Sequence, residues 1–555
     1  MEENARTTGV GDLFRVVQRV VSEGRESMPD RQLDTPTQTA KGNAVNAGGQ
    51  RRRAGIMRTL LMNTSSNVFR FAVSAVITFI MTPVYLHALG RYDYGVWEIV
   101  GSLIGYLGLL DIGLRPTISR FIARVSPVTE GEQWRKVYST SFYLMAGAGI
   151  VVGCVFLGWS LILPEGLAEQ TDRAGRYALF LQLVALQVAM TFPCTGLESA
   201  LEGGQRYVAK NNITMVHTII SSGFLYHYML AWDPLLVLCL VNIVSCLSKI
   251  ACFLWLLAPQ GMGPRLPVPS FFDSRLARDM YGFGAKSFVQ NTSTSIEGRT
   301  AVLIIGGFLG PAAVVFYSIP QALLNNIRSL ISTLTHALMP AFSELDSLGQ
   351  KERSKSLFLA SSRLTAGFIT MLCVGVVTLG DSFICLWIGQ EYMSEGRILL
   401  YILTGYLFVG MLFPLGGRYM TAVGRHGILA KICMVRALTN LCISVALVKP
   451  LGPPGVALGS LLATLATFPL ESRAILGSME MGLLYYLRGT LMPAVGPALA
   501  MFSLAMVGNM LGLTVGWFGF LSTGAISALA FALLYLAFGV RPEDRARFLR
   551  LLGVA

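Results

Sequence analysis

Hydrophobic residues occur in long, nearly uninterrupted runs from about Asn67 to Val540. Each run is about 20 residues long, the length that a helix needs to cross the hydrocarbon core of a bilayer. The runs lack the alternation of apolar and polar residues that is typical of a transmembrane β-strand, and a helix satisfies its own backbone hydrogen bonds in lipid. The pattern therefore predicts an all-α integral membrane protein. Hydropathy and turn residues predict about 14 transmembrane helices, which start near residues 67, 94, 138, 175, 207, 233, 284, 312, 363, 394, 425, 452, 489 and 513.

The composition agrees with this pattern. Of the 555 residues, 53% are hydrophobic and only 14% are charged, a balance that excludes an ordinary water-soluble domain. Most of the 44 lysines and arginines fall in segments on one side of the predicted spans. By the positive-inside rule this side is the cytoplasm, which predicts an even number of spans with both termini cytoplasmic. Orientation explains the net charge of +13, so a nucleic-acid partner is not expected.

The spans group into segments that predict the domain organisation. Residues 1–62 are polar and lack the apolar core of a signal peptide, so they are predicted to form a cytoplasmic tail. Within the tail, "GDLFRVVQRVVSEG" fits either a membrane-surface helix or a transient helix in a disordered segment.

The stretches "ALGRYDYGVWEI" and "FLGPAAVVFYSI" share a pattern about 220 residues apart, which indicates an internal duplication. The predicted segments are an N-lobe of six spans over 63–258, a cytoplasmic linker over 259–283, a C-lobe of six spans over 284–476, two further spans over 477–540 and a C-terminal tail over 541–555.

Motifs for catalysis or metal binding are not evident. The nine cysteines and five histidines do not have the spacing of metal ligands. We find no nucleotide-binding motif, nucleophile elbow or paired-carboxylate glycosidase signature. The sequence therefore predicts a protein that is not an enzyme and has no resident metal or cofactor.

Four stretches resemble a known superfamily of exporters. They are "LGRYDYGVWEIVGSLIGYLGLLDIGLRPTISRFIA", "LESALEGGQRYVAKNNI", "FLGPAAVVFYSIPQAL" and "LGPPGVALGSLLATL". They resemble the polysaccharide-precursor flippases of the multidrug/oligosaccharidyl-lipid/polysaccharide exporter superfamily, over residues from about 60 to 540. The resemblance implies a MATE-like fold of two pseudo-symmetric six-helix lobes plus two C-terminal helices. It also implies export of undecaprenyl-pyrophosphate-linked sugar units across the bacterial inner membrane.

Several arginines fall inside the predicted spans, where each needs a partner, a cavity or an interface. Guanidinium groups bind phosphate with bidentate geometry, so they suit the pyrophosphate of such a substrate. Arg70, Arg115 and Arg328 are predicted in the cytoplasmic half of the membrane, and Arg299 and Arg436 lie deeper. The alternative for Arg70 and Arg115 is that they extend to the lipid headgroups and bind no substrate.

Three acidic residues are candidates for charge pairing or coupling. Asp111 lies four residues before Arg115, so the two share a helical face and can pair. The pair either orients Arg115 for the substrate or is purely structural. Glu98 and Glu297 are candidates to carry a proton or to bind a cation, such as sodium, that drives transport.

These observations predict a flippase that moves lipid-linked oligosaccharides by alternating access, for exopolysaccharide, O-antigen or capsule export. The expected partners are the polyprenyl-pyrophosphate oligosaccharide, membrane lipids, and the glycan polymerase and glycosyltransferases of the same pathway. A MATE-type drug/cation antiporter is the first alternative, but it favours an acidic and aromatic cavity, whereas here the buried arginines outnumber the buried acids. A multi-pass polymerase or glycosyltransferase is the second alternative, and it requires a large extramembrane loop with clustered carboxylates that this chain does not show.

Overall fold

The computed structural model describes residues 39–108, 113–125, 129–162, 174–257, 266–336 and 338–539. Over these ranges the chain is helical apart from short turns and contains no β-strand. The helices are α1 (Thr39–Leu107), α2 (Leu114–Ala123), α3 (Gly131–Ile162), α4 (Ala174–Gly203), α5 (Tyr207–Tyr228), α6 (Pro234–Leu257), α7 (Ser274–Leu309), α8 (Pro311–His336), α9 (Met339–Ser347), α10 (Lys351–Trp387), α11 (Met393–Gly410), α12 (Gly416–Ala422), α13 (His426–Leu451), α14 (Pro453–Gly477), α15 (Leu483–Thr490), α16 (Met492–Met510) and α17 (Trp517–Leu534).

The lengths and composition of these helices confirm a multi-pass, all-α membrane protein. Within the described ranges, nine helical segments are long and apolar enough to cross a membrane, and shorter apolar helices lie within α7 and α11. Helix occurs at or beside every predicted starting position, although the number of spans stays a prediction. α1 begins at Thr39, within the segment that the sequence predicts as a polar tail. The predicted surface helix before residue 25 and the tail over 541–555 lie outside the described residues.

Glycines with a left-handed backbone separate several consecutive helices. α1 is interrupted at Gly90, whose φ of 70° is readily adopted only by glycine. α7 ends before Gly310, which has a φ of 86°, and α8 begins at Pro311. The same Gly-Pro step at Gly452 separates α13 from α14. Because the fixed φ of proline suits the first turn of a helix, one helix ends and the next begins within a residue or two.

The helices pack as two groups with a final pair attached. In the first group α4 packs against α3 and α6, and in the second group α14 packs against α11 and α13. Side chains from both groups join in one continuous buried core. α16 and α17 pack on each other and on α10 through a small cluster that includes Met501, Phe531 and Tyr535. This arrangement suits two lobes plus a C-terminal pair, while the lobe boundaries stay a prediction.

The long helices reverse direction one after another, counting the two parts of α1 on either side of Gly90 separately, so their ends form two faces. We call the Gly90 face the one formed by the turns at residues 90, 229–233, 310 and 388–392. We call the Gly204 face the one formed by the turns at 204–206, 266–273, 338–350 and 411–415. Contacts between distant turns support this grouping. Arg91 pairs with Glu391 on the Gly90 face, and the Arg120 guanidinium stacks on the Phe283 ring near the Gly204 face.

The two helix groups make close contact at the Gly90 face. Arg91 Nη2 lies 3.0 Å from Glu391 Oε2, and its guanidinium carbon lies 5.0 Å from the centre of the Tyr392 ring. Gly95 of α1 approaches the start of α8 so closely that a Cβ there would lie 1.8 Å from the Pro311 carbonyl oxygen. These contacts close the Gly90 face between the two groups.

Of the predicted linker over 259–283, residues 266–283 are described; residues 266–273 are held on α3 and the rest begin α7. The Asp273 amide donates to Thr140 Oγ1 at 3.0 Å, and the Tyr143 hydroxyl donates to the Pro267 carbonyl oxygen at 2.9 Å. Asp273 also caps α7, because its Oδ1 accepts a 2.8 Å hydrogen bond from the Arg275 amide. The start of α7 is therefore attached to the first helix group, although most of α7 packs among helices of the second.

A partly buried ionic cluster stabilises the first group at the Gly90 face. Arg176 Nη1 lies 2.7 Å from Asp93 Oδ2, and Arg176 Nη2 donates to Asp233 Oδ1 at 3.0 Å. The Tyr177 hydroxyl donates to the other Asp93 oxygen at 2.7 Å. Burial by itself would raise the pKa of Asp233, but hydrogen bonds and charge from Arg176, with backbone amides at the start of α6, outweigh it and hold that pKa below its usual value.

Candidate functional site

Two helices carry polar side chains where a lipid-facing helix would carry apolar ones. On α8 these are Asn325, Ser329 and Ser332, and on α1 they are Ser74 and Thr78; all except the half-buried Ser332 are exposed. Polar side chains are costly in contact with lipid, so such a line is typical of a water-filled space between helices. α8 and α7 both contact the part of α1 that follows Gly90, α8 at Gly95 and α7 at Gly105. We therefore place the candidate site between this part of α1, α7 and α8.

Arg299 lies near the middle of the bundle, about 16 Å along α7 from the turn at Gly310. Its guanidinium occupies the notch left by Gly105 on α1, where a Cβ would lie 1.1 Å from Arg299 Nη1. The same Nη1 donates a long hydrogen bond of 3.4 Å to the Gly101 carbonyl oxygen. Among the described side chains, no carboxylate forms an ion pair with Arg299.

Arg328 lies closer to the Gly204 face, about 26 Å along α8 from the turn at Gly310. It is half-buried, with its guanidinium carbon 5.1 Å from the centre of the Tyr406 ring. One turn further along α8, the Ser332 hydroxyl accepts a 2.8 Å hydrogen bond from Arg418 Nη2. Sequence analysis does not identify Arg418 as a site residue. No sequence signal marks it, because the short helix α12 comes beside α8 only in the folded chain.

Arg70 and Arg115 lie on the first helix group. Arg70 is half-buried, and its Nε is buried without a hydrogen-bond partner among the described residues. Arg115 is exposed on α2, and its Nη2 donates to Thr195 Oγ1 of α4 at 3.3 Å. Asp111 lies outside the described residues, so its pairing with Arg115 stays a prediction. Substrate contact and extension towards the headgroups both stay predictions for these two arginines.

Arg436 has a partner that sequence analysis did not anticipate. Its Nη1 lies 3.1 Å from Glu471 Oε2, in a pair that joins α13 to α14, and the two side chains are only 13% and 22% exposed. The paired carboxylate reduces the charge that Arg436 offers to an anion, and the role of Arg436 in substrate binding stays a prediction.

Glu98 is half-buried beside Tyr94, one turn earlier on α1. The side chain of Glu297 lies outside the described part, so coupling by either glutamate also stays a prediction.

The site offers guanidinium, hydroxyl and amide groups along a surface that runs from the middle of the bundle towards the Gly204 face. These groups suit an anionic ligand with further hydrogen-bonding groups. Among the described residues, no group of three or more histidines, cysteines or acidic side chains is arranged to hold a metal ion.

Comparison with curated proteins finds distant relatives over most of the chain. The chain is 21% identical over 416 residues to a putative O-antigen transporter of Shigella flexneri, covering 72% of this chain and 94% of that protein. It is 22% identical over 401 residues to a probable low-salt glycan biosynthesis flippase of Haloferax volcanii, covering 72% of this chain and 79% of that protein.

Comparison with solved structures confirms the predicted MATE-like fold. The lipid II flippase MurJ, in an inward closed conformation, superposes with a TM-score of 0.58 at 15% identity, covering 86% of this chain and 98% of that one. An inward-facing multidrug resistance MATE family transporter of the MOP superfamily superposes with a TM-score of 0.56 at 15% identity, covering 74% and 95%. At these identities the likeness concerns the fold.

The sequence pattern of one family, described as polysaccharide biosynthesis protein, matches residues 89–395. The match spans more than half of the chain. It includes α2 to α10, and with them Arg115, Arg299 and Arg328 of the candidate site. The chain therefore belongs to the polysaccharide biosynthesis protein family.

Proposed function

We propose that the chain is a flippase for lipid-linked glycans, a membrane transporter that carries out no covalent chemistry. The observation that carries the proposal is Arg299, a cation in the middle of the bundle, in contact with α1 and with no described carboxylate in an ion pair. Such a cation is costly unless it serves an anion. The family and the functions described for both relatives support the same function.

The finer form of the proposal concerns the substrate. The amphiphile would be an undecaprenyl pyrophosphate that carries an oligosaccharide for exopolysaccharide, O-antigen or capsule export. Guanidinium groups would bind the two phosphates through paired hydrogen bonds, and the exposed Asn325 and Ser329 would contact sugar hydroxyls. The polyprenyl chain would stay in lipid, since burying it in a polar cavity would forfeit its favourable hydrophobic transfer.

The orientation is also part of the proposal. The described Gly204 face and the helix ends beside it are rich in cations, and by the positive-inside rule this supports a cytoplasmic position for the face. The proposed location is a bacterial inner membrane, with both termini cytoplasmic. These cations are Arg120, Arg124, Arg135, Lys136, Arg206, Lys210, Arg275, Arg278, Lys351, Arg353, Lys355, Arg425, Lys431 and Arg473. The substrate would then enter from the Gly204 side while the contacts at Gly95 and Arg91 keep the Gly90 face closed.

Transport would be driven through a titratable or cation-binding group. Glu98 supports this part of the proposal, because it is a half-buried carboxyl on α1, close to the Gly90 face. Coupling to protons or sodium through Glu98, and cooperation with the polymerase and glycosyltransferases of the pathway, complete the proposed function. The cation antiporter receives less support, since the described site presents arginines where a cationic substrate would need acids.

The test is flipping of a fluorescent undecaprenyl-pyrophosphate glycan in proteoliposomes. Arg299→Gln should reduce the flipping rate at equal amounts of reconstituted protein, because each charge-assisted hydrogen bond contributes on the order of 1.5–3 kcal/mol to binding. Arg299→Lys should restore part of the rate, since it keeps the charge but not the planar fork.

Arg436→Gln is the comparison variant. It leaves Glu471 partly buried without its described partner, so it should lower the thermal stability in detergent more than Arg299→Gln does. Wild-type protein that does not flip the glycan but exchanges organic cations for protons would overturn the proposal. Normal flipping by Arg299→Gln would keep the function and remove Arg299 from the site.

A further inference from the structure

The contact between α8 and α12 carries a further inference, which rests on the proposed function. Arg418 is half-buried, and its Nη2 donates a hydrogen bond to the Ser332 hydroxyl. This bond uses one of the five N–H donors of the Arg418 guanidinium. No described carboxylate forms an ion pair with Arg418. Burial lowers the pKa of Arg418, as expected for a cation that is withdrawn from water without a counter-charge. Its remaining donors are therefore suited to an anion.

The position of Arg418 is fixed by its own helix. The next residue, Tyr419, packs with its ring centre 5.7 Å from that of Phe342 and 5.8 Å from that of Phe358. Met420 is fully buried in the same apolar cluster. Because α12 is anchored in this way, Arg418 is held at the edge of the polar line on α8 and not carried on a mobile loop.

Arg328 supplies a second guanidinium from the same helix as Ser332. It lies on α8 one turn before Ser332, and residues four apart on a helix are about 5–6 Å apart at their Cβ atoms. Tyr406 packs under the Arg328 guanidinium and restricts its orientation. Two guanidinium groups within about one helical turn match two linked phosphates better than a single carboxylate or phosphate monoester, because a guanidinium can bind one phosphoryl group.

We propose that Arg418 and Arg328 form an entry site for the diphosphate of the lipid-linked substrate, on the second helix group and distinct from the deeper Arg299. The axial separation between Arg328 and Arg299 is about 10 Å, from their distances to the Gly310 turn. The substrate binds first at the entry site near the Gly204 face and reaches Arg299 as the helix groups rearrange. Arg418 thereby becomes a determinant of affinity for diphosphate over monophosphate.

The experiment measures binding of undecaprenyl diphosphate and undecaprenyl monophosphate, both without glycan, to the full-length protein in nanodiscs. Arg418→Gln should weaken diphosphate binding about tenfold or more and affect monophosphate binding less, because only the diphosphate engages both forks. Arg328→Gln should behave alike, and the double variant should lose less than the product of the two single losses, since the residues share one ligand. Arg418→Lys should recover part of the affinity.

Arg425→Gln is the matched control. Arg425 is an exposed arginine shortly after α12, so this variant removes the same charge from the same face and should bind diphosphate as the wild type does. Inorganic pyrophosphate should compete with the lipid, whereas phosphatidylglycerol should not. Equal competition by phosphatidylglycerol would overturn the inference in favour of an ordinary anionic-lipid contact. Equal loss of both ligands in Arg418→Gln would overturn the diphosphate preference.

The outcome is separable from that of the proposed function. Unchanged diphosphate affinity and flipping in folded Arg418→Gln would refute the entry site while flipping by the wild type stands. A wild type that neither binds undecaprenyl diphosphate nor flips the glycan would refute both. Melting of each variant in detergent distinguishes loss of the site from loss of the fold, and Arg418→Lys supplies a second folded variant for the same comparison.

Discussion

Alanine at position 95 should open the Gly90 face. The new Cβ would lie 1.8 Å from the Pro311 carbonyl oxygen and 2.4 Å from its carbonyl carbon. Both are backbone atoms, so no side-chain rotation relieves the overlap. Raising the distance from 1.8 to 3.0 Å requires α1 and the start of α8 to separate by about 1.2 Å. Such overpacking typically costs about 1–3 kcal/mol, which would shift the equilibrium towards an open Gly90 face by about 5- to 150-fold.

The assay is hydrogen–deuterium exchange by mass spectrometry on protein in proteoliposomes. The backbone amides of residues 91–100 and 312–319 should exchange faster in Gly95→Ala by a factor within that range, if opening limits exchange. Gly101→Ala is the control, because Gly101 lies on the same helix and a Cβ there meets no atom within 4 Å. It should exchange as the wild type does or more slowly, since alanine stabilises a helix relative to glycine. Wild-type exchange rates in folded Gly95→Ala would refute the close approach of the two helices.

Three further predictions follow from described contacts. Arg91→Glu and Glu391→Arg should each speed hydrogen exchange over residues 388–392 a few-fold, because a partly exposed ion pair contributes about 0.2–1 kcal/mol. The double variant should restore the wild-type rate. A double variant that still exchanges fast would show that this ion pair does not stabilise the Gly90 face. Gly105→Ala should lower glycan flipping in proteoliposomes without lowering thermal stability, because the displaced atoms belong to the flexible end of Arg299; unchanged flipping would contradict the role of that notch. Because the pKa of Asp233 is lowered in the folded protein, its ionised form stabilises the fold above the ordinary pKa of about 3.9. This stabilisation is lost as the pH falls through the lowered pKa. The thermal midpoint in detergent should therefore fall in acid for the wild type, and fall less for Asp233→Asn.

Several residues of the candidate site could be predicted from the sequence, because they are charged residues within apolar runs. Arg299 and Arg328 stood out because a charge in a predicted span is costly and needs a reason. Arg418 did not stand out, since the short helix that carries it reads as a cationic loop beside a span. Glu471 lies 35 residues after Arg436, and no local spacing relates two residues on different helices. Pairing between helices depends on which faces meet, and the hydropathy pattern does not contain that information.

The sequence by itself determined the class of molecule, the helical character of its apolar runs and its likeness to lipid-linked glycan flippases. These properties depend on local quantities: the length of apolar runs, glycine and proline at helix ends, and short motifs. Only the tertiary structure decided which charges share a site. It placed the Arg299 guanidinium in the notch at Gly105, paired Arg436 with Glu471, and brought Arg418 to Ser332. The physical reason is that the free energy of a buried charge depends on neighbours within a few ångströms, and in a helical bundle most of those neighbours come from distant parts of the chain.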